Sequence, residues 1–335
     1  MKRFNLITMS MVLALALVTH QSAIAQSKIK PIEEKSLSIL FVGDIVLDGG
    51  PGKSIDSGID PFAKFASIFQ QADVRVGNLE CVVATAGHAA EKNFTFRAAP
   101  HTLPFLKKHI DIVSLANNHS GDFGSAAFSE MLGLLDQHQI GRFGGGYNLQ
   151  EAHQPYIIEK NGLRIALLGY NEFMPRSFEA NTQSAGIAWS EDEQVVLDIK
   201  NARRNYKADI VIPMMHWGWE NEMLAGARQR SLARIMIDAG ADAVIGGHPH
   251  VIQDTEQYKG KPIIYSIGNF MIDAMDNEAQ TLGWAVKLSI DQNGVKAWDT
   301  QTAKINDEGI PSPESKATRT CWQRGDLKAH QCQGK

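Results

Sequence analysis

The chain has 335 residues and a formal charge of −4, from 33 lysines and arginines against 37 aspartates and glutamates. That acidity excludes the basic surface of a general nucleic-acid binder, so no nucleic acid is expected as a partner, and a polyanion would need a local patch or a bound metal. The length allows one large α/β domain or two smaller ones, and no internal repeat or low-complexity tract interrupts it.

The chain opens "MKRFNLITMSMVLALALVTHQSAIAQ": Lys2 and Arg3, a short apolar run, then Ala23, Ile24 and Ala25. This is the anatomy of a secretory signal peptide over residues 1–25. The expectation is an exported protein, periplasmic or secreted, with no stable membrane span after cleavage. Cleavage would remove Lys2 and Arg3 and take the formal charge to −6. No cysteine stands at the cut, so a lipoprotein is not expected.

Short runs rich in Val, Ile and Leu recur next: "LSILFVGD", "VRVGNLE", "IVSLANNH", "RIALLGYN", "IVIPMMHW", "AVIGGHPH" and "IIYSIGNF". Each has the length of a buried strand. Between them "DPFAKFASIFQQA", "AFSEMLGLLDQHQ", "EDEQVVLDIKNARRNY" and "ARQRSLARIMIDAG" have helical spacing, the last closed by Gly240 as a C-cap. Alternating strand and helix predicts an α/β fold with a largely parallel sheet. "GGGYNLQEAHQP" lacks the Lys-Ser/Thr ending of a P-loop and reads as a tight turn into a short helix ended by Pro155.

The "QNG" between "GWAVKLSID" and "VKAWDTQT" predicts a hairpin that ends a domain over residues 36–305. Residues 306–335 read as a polar C-terminal tail, loosely packed from about Gly309. Within it Cys321 and Cys332 are spaced to suit a disulfide in an oxidising compartment, while Cys81 reads as a buried small hydrophobe.

Polar residues collect where these strands end: Asp44, Asn78 and Glu80, Asn117 to His119, Asn171 and Glu172, His216, His248 and His250, and Asn269. In open α/β sheets ligands lie beyond the carboxyl ends of strands, so these residues should converge on one crevice. A dinuclear hydrolytic centre needs ligands from several strands, a bridging carboxylate, neutral imidazoles and an open position for water. Asp44, Glu80, Asn118, His216, His248 and His250 supply that set, although each alone also fits a turn, a cap or a core position. Residues two apart share one face of a strand, and the preceding glycines with Pro249 turn the chain at the strand end, so the rings of His248 and His250 can both face one centre. His119 is a candidate proton donor to a leaving group. Asp122 is placed to orient its ring or, equally, to cap the following helix. Arg97 reads as an anion contact or a plain surface arginine, and Asn269 as a substrate contact.

In order over about residues 38–272 run "FVGDIVLDGG", "VGNLECVV", "FTFRAAP", "DIVSLANNHSGDFG", "GRFGGGYNLQEAHQP", "RIALLGYNE", "MMHWGWE", "IGGHPHVIQ" and "YSIGNF". On these the chain resembles the CapA/PgsA-type poly-γ-glutamate capsule synthesis proteins, whose fold is similar to that of calcineurin-like metallophosphoesterases. The resemblance implies a four-layer α/β/β/α sandwich with its site at the strand ends. It places Asp44, Glu80, Asn118, His216, His248 and His250 at metal positions and His119 at the proton-donor position. The phosphoesterase pattern opens with Asp-x-His, whereas here Ile45 and Val46 follow Asp44, and Glu80 stands where a bridging aspartate is usual. One metal position thus lacks an imidazole, with Asp48 the nearby carboxylate that could replace it.

The implied function is synthesis, export or processing of an envelope polymer by a metal-dependent hydrolase-type protein. Its cofactor would be manganese, zinc or iron at one or two sites. Its partners would be an anionic polymer such as poly-γ-glutamate and capsule synthase or export proteins. The alternatives are a non-catalytic polymer-binding or assembly subunit and a phosphoesterase.

Overall fold

The computed structural model describes residues 35–332 apart from residue 175. The expected signal peptide lies outside the described residues. From Lys35 onward the chain forms one compact unit.

The strand Ser36–Ile45 shows how its layers arise. Alternate side chains leave opposite faces of a strand. Leu40 and Val42 pack with Ile55, Leu103, Leu106, Phe128 and Leu132 of the helices on one side. Ile39 and Phe41 instead pack with Ile165, Leu167, Ile210 and Ile212 of a second sheet. The outer face of that second sheet, through Ala166, Leu168 and Val211, meets Val195, Ile199, Leu232 and Met236 of the helices Asp192–Arg204 and Ala227–Ala239. The result is the expected four-layer α/β/β/α sandwich.

One refinement concerns the sheet. There are two: the larger is parallel on one side and antiparallel on the other, and the smaller has a parallel centre with antiparallel flanks. In the ten-stranded sheet Ser36–Ile45, Val74–Leu79, Ile112–Ser114 and Gly141–Phe143 run parallel, and Leu282–Asp291 lies antiparallel against the first of them. In the six-stranded sheet Leu163–Asn171, Ile210–His216, Val244–Gly247 and Lys261–Ile264 are parallel neighbours. Register then fixes the site. Asp44 stands opposite Asn78 on one side and Asn269 on the other, and His216 stands between Asn171 and Gly247. Gly43 is needed for the first of these juxtapositions, because a Cβ there would lie 1.8 Å from the Gly268 carbonyl oxygen.

Helices form over Gly124–Gln137, Asp192–Arg204 and Ala227–Ala239 as the apolar spacing requires, with Gly240 at a φ of 120° as the C-cap. "DPFAKFASIFQQA" gives only the short 3-10 turn Ala63–Phe65 and the single turn Ala66–Phe69, anchored by buried Phe62, Phe65 and Phe69. The helix Gly49–Asp56 is not legible in "GGPGKSID". It exists because the Asp48 side chain accepts from the Gly49 N–H at its start. Among the described residues no helix is long and apolar enough to cross a membrane.

The tail departs most from expectation. Residues 306–332 are not loosely packed: Pro311–Pro313, Thr320–Gln323 and His330–Gln331 extend the ten-stranded sheet. Trp322 is fully buried opposite Trp298, Arg324 makes a bidentate pair with Asp291 at 2.8 and 3.0 Å, and Cys321 and Cys332 are joined by a disulfide. Polar composition concealed this because one face of an edge hairpin remains in water. Trp322→Ala should therefore cost about 3–5 kcal/mol in urea unfolding, as for a large buried side chain. A cost near zero would show the tail to be ornamental.

Candidate metal centre

The centre sits where the two sheets present their strand ends to each other. One sheet supplies Asp44, Glu80 just past Val74–Leu79, and Asn118 after Ile112–Ser114. The other supplies His216 and the turn after Val244–Gly247. His248 and His250 both have positive φ, 95° and 57°. That conformation is costly for a residue with a Cβ and tends to persist where function requires it. The two rings lie close together, with centroids 5.7 Å apart.

Their atoms converge on two groups that share one carboxylate. Glu80, His216 and His248 form the first, and Asp44, Glu80 and His250 the second; in each, ligand atoms lie within 4.8 Å of one another. His216 Nε2 is 2.7 Å from Asn118 Oδ1, 3.1 Å from His248 Nδ1 and 3.2 Å from Glu80 Oε1. A single imidazole proton can serve only one of those neighbours, so the cluster is short of hydrogens and rich in lone pairs. Glu80 Oε1, Asp44 Oδ2 and His248 Nε2 are buried without any hydrogen-bond partner. Unpaired buried polar atoms are costly, and a divalent cation among them would remove that cost. The donor set of carboxylate, imidazole and amide oxygen fits such an ion.

Electrostatics agree. Burial pushes His248 well below the usual histidine range and His216 down to about 3, so both rings are neutral, as ligands must be. Burial and the neighbouring Asp44 hold Glu80 well above the usual carboxylate range. Burial opposes charge on Asp44 as well, but His250, His216 and Asn78 outweigh it and lower its pKa. On His250 burial acts downward, yet Glu80 and Asp44 prevail and raise it to about 10. In the metal-free protein a proton on His250 thus balances the Asp44 carboxylate, while Glu80 is pushed toward its neutral form.

The proton-donor candidate is built beside this centre. His119 Nδ1 donates to Asp122 Oδ2 at 2.8 Å, which leaves Nε2 as the free ring nitrogen. The same Asp122 oxygen accepts from the Phe96 N–H at 2.8 Å, and Lys92 pairs with the other. Asp122 therefore orients the ring. The alternative role as cap fails, since Phe123 occupies the N-cap of Gly124–Gln137 without a side-chain bond. Burial lowers the pKa of His119 despite Asp122, so the ring is neutral at neutral pH. A chain of amides ties it to the centre: Asn78 donates to Asp44 Oδ1 at 2.8 Å, Asn117 donates to Asn78 at 3.0 Å, and the His119 N–H donates to Asn117 at 3.1 Å.

The family described as "Bacterial capsule synthesis protein PGA_cap" matches residues 38–274. The chain belongs to that family. This PGA_cap chain is similar to the "PGA biosynthesis protein CapA" of Bacillus subtilis (strain 168), 31% identical over 86% of this chain and 77% of that one. It is also similar to the "Capsule biosynthesis protein CapA" of Bacillus anthracis, 28% identical over 91% and 76%. Among solved structures, the NAD nucleotidase of Haemophilus influenzae overlays with a TM-score of 0.49 at 12% identity, covering 84% of this chain and 54% of that one.

Two expectations, for Asn269 and Asp48, need correction in this PGA_cap protein. Asn269 is no substrate contact: buried, it accepts from His250 Nδ1 at 2.8 Å and donates to the Gln280 carbonyl at 2.9 Å, so it sets the ring that serves the centre. Arg97 is exposed, lies over the Phe123 ring at 4.5 Å and donates from Nη1 to the Ala86 and Gly87 carbonyls at 3.4 Å, an arrangement that leaves Nε and Nη2 facing no partner among the described residues. Asp48 cannot replace the missing imidazole, because its two oxygens accept from the N–H groups of Gly49 and Arg97. Sequence reasoning missed Glu220, whose carboxylate lies within 4.8 Å of ligand atoms of His248 and His250, and also Lys92. The signal for Glu220 was its place four residues after His216 in "HWGWE".

The His250 proton gives a pH dependence with a definite sign. Its folded pKa of about 10 exceeds an unfolded value near 6.5. Its stabilising contribution to metal-free protein is complete below the unfolded value and disappears as pH rises through the folded one. A cation must displace that proton, so metal affinity should rise about tenfold per pH unit for each proton released. Calorimetry in buffers of different ionisation enthalpy should count at least one proton per ion bound at neutral pH. Binding with no proton release would contradict this charge balance.

Proposed function

We propose that this chain is an exported protein of poly-γ-glutamate or related envelope-polymer synthesis, export or processing, carrying a metal-dependent hydrolase-type centre. The observation that carries the reading is Glu80, a buried carboxylate shared by two ligand groups with one oxygen unpartnered. Asp44, Glu80 and His250 would hold one ion, and Glu80, Asn118, His216 and His248 a second, manganese, zinc or iron. When bound, a divalent cation supplies Lewis-acid polarisation of the group under attack. It would also turn the local field positive, which reconciles an acidic protein with a polyanionic polymer.

The chain's own residues supply the proton chemistry. His119 starts neutral, so Nε2 first accepts a proton, from water or an incoming acid group, and then gives it to the leaving group. Asp122 stabilises the charged ring in between, and Lys92 pairs with the other Asp122 oxygen. Asn78 and Asn117 hold this pair in register with the ligands.

A polymer-binding or assembly role without turnover is the second reading. It is favoured by Val46, fully buried where the phosphoesterase pattern carries an imidazole. Elemental mass spectrometry of the purified protein tests the centre. One or two transition-metal equivalents should vanish in a His248→Ala/His250→Ala double variant that keeps its circular dichroism spectrum. Folded protein that holds none and cannot be reloaded would end the hydrolase reading. His119→Ala then separates the two roles: it should keep the metal and lose turnover of γ-glutamyl, peptide or phosphoester substrates, whereas a binding subunit would show no turnover to lose.

A further inference from the structure

Beside the centre lies a cleft of about 470 Å³ between the Glu172–Met174 segment, the Gly218–Trp219 turn and the start of Ala227–Ala239. It is continuous with the metal ligands, because the Phe173 ring packs on His248 with centroids 3.8 Å apart. Trp219 stands edge-on to Phe173 at 6.0 Å. Two large apolar side chains that line it are left in water: Met174 is 64% exposed and Trp219 73%. Scattered exposed hydrophobes need no explanation, but Met174 and Trp219 lining one cleft with Phe173, beside a polar centre, do.

The polar groups that line the cleft are already spent within the protein. Glu172 accepts from Arg228 at 2.8 Å and from the Ser190 hydroxyl at 2.7 Å. Arg228 also pairs with Asp192 at 2.7 Å. Gln229 accepts from the Gly226 N–H at 2.8 Å and donates to Gln253 at 2.9 Å. What remains to meet a ligand is the apolar surface of Phe173, Met174, Trp219 and Ala227. The loop that carries Trp219 is held in place: Trp217 donates to the Tyr265 carbonyl at 2.8 Å, and the Asn221 N–H donates to the Pro249 carbonyl at 2.9 Å. Trp219 thus walls the cleft while Glu220, next in sequence, lies near His248 and His250.

The geometry points to this cleft as a subsite for an uncharged apolar group of ring or short-alkyl size, carried by a compound whose oxyanion or carbonyl group sits at the centre. This rests on the reading of the centre given above. Continuity through Phe173 and His248 favours a portion of the substrate over a separate protein, and the neutralised walls disfavour a charged group. A centre that handled only unadorned carboxylates would have no use for such a wall.

The test compares phenylphosphonate with methylphosphonate, neither of which the protein is asked to cleave, by calorimetry on manganese-loaded full chain. Phenylphosphonate should bind at least about tenfold more tightly, as a stacked ring contributes. The preference should fall below about threefold in Trp219→Ala and in Phe173→Leu while metal content is unchanged. Equal binding of the two probes to metal-loaded wild type, or a preference that survives Trp219→Ala, overturns the subsite. Concentration-dependent dimerisation lost in Trp219→Ala, without a preference between phosphonates, would assign the rim to a second copy and overturn it too. A second measurement does not depend on the centre: benzamide titrated into metal-free protein should give a saturable change in Trp219 emission, taken as wild type minus Trp219→Phe. Saturation without metal loading would sink the centre and keep the subsite. A linear response with metal loaded would do the reverse.

Discussion

Two carboxylates buried side by side cannot both keep their charge without a cation between them, and Asp44 and Glu80 impose that constraint on everything around them. Each is fully buried, each leaves one oxygen without a hydrogen bond, and burial together with Asp44 drives Glu80 upward. The protein answers with His250, whose proton stands in for an ion, and with neutral His216 and His248. The surrounding amides are set by the same need. Asn78 and Asn269 are spent on holding Asp44 and His250, so the ligand atoms stay oriented.

The sandwich makes this arrangement possible. Neither sheet alone holds the ligand set: Asp44, Glu80 and Asn118 end strands or follow them in one sheet, and His216, His248 and His250 do so in the other. Packing Ile39 and Phe41 against Ile165, Leu167 and Ile212 brings the two rows of strand ends face to face. The apolar core between the sheets therefore also sets the spacing of the metal ligands. Within the ligand set, positive φ falls on His248 and His250, in the turn that carries both rings.

Much of this was legible in the sequence. Val- and Ile-rich runs ending in Asp, Asn or His announce both strands and site, because apolar burial and polar function fall at opposite ends of one short segment. The ligand atoms brought together belong to Asp44, Glu80, His216, His248 and His250, which the strand ends pointed to, and to Glu220, which they did not. What the sequence hid were jobs fixed by register and reach. Asn269 looks like any polar strand end until its pairing opposite Asp44 turns it toward His250. Asp48 looks like a spare ligand until it caps a helix that glycines and a proline disguise. The tail looked loose because no local pattern reveals that Trp322 meets Trp298 across a sheet edge.

The central position of Ser36–Ile45 has a consequence for how the molecule assembles. This strand emerges first among the described elements, yet its antiparallel neighbour is Leu282–Asp291 and the partner of Asp44 itself is Asn269. Contacts so distant along the chain repay their loop-closure entropy only late in folding. A chain being threaded out from its N-terminus would therefore carry an open, apolar strand edge until its last third arrived. Such an edge invites pairing with other chains, and holding chaperones exist to shield edges of this kind. The centre would be among the last features to form, so a chain stalled before residue 269 could fold helices and half a sheet while being unable to complete its ligand set.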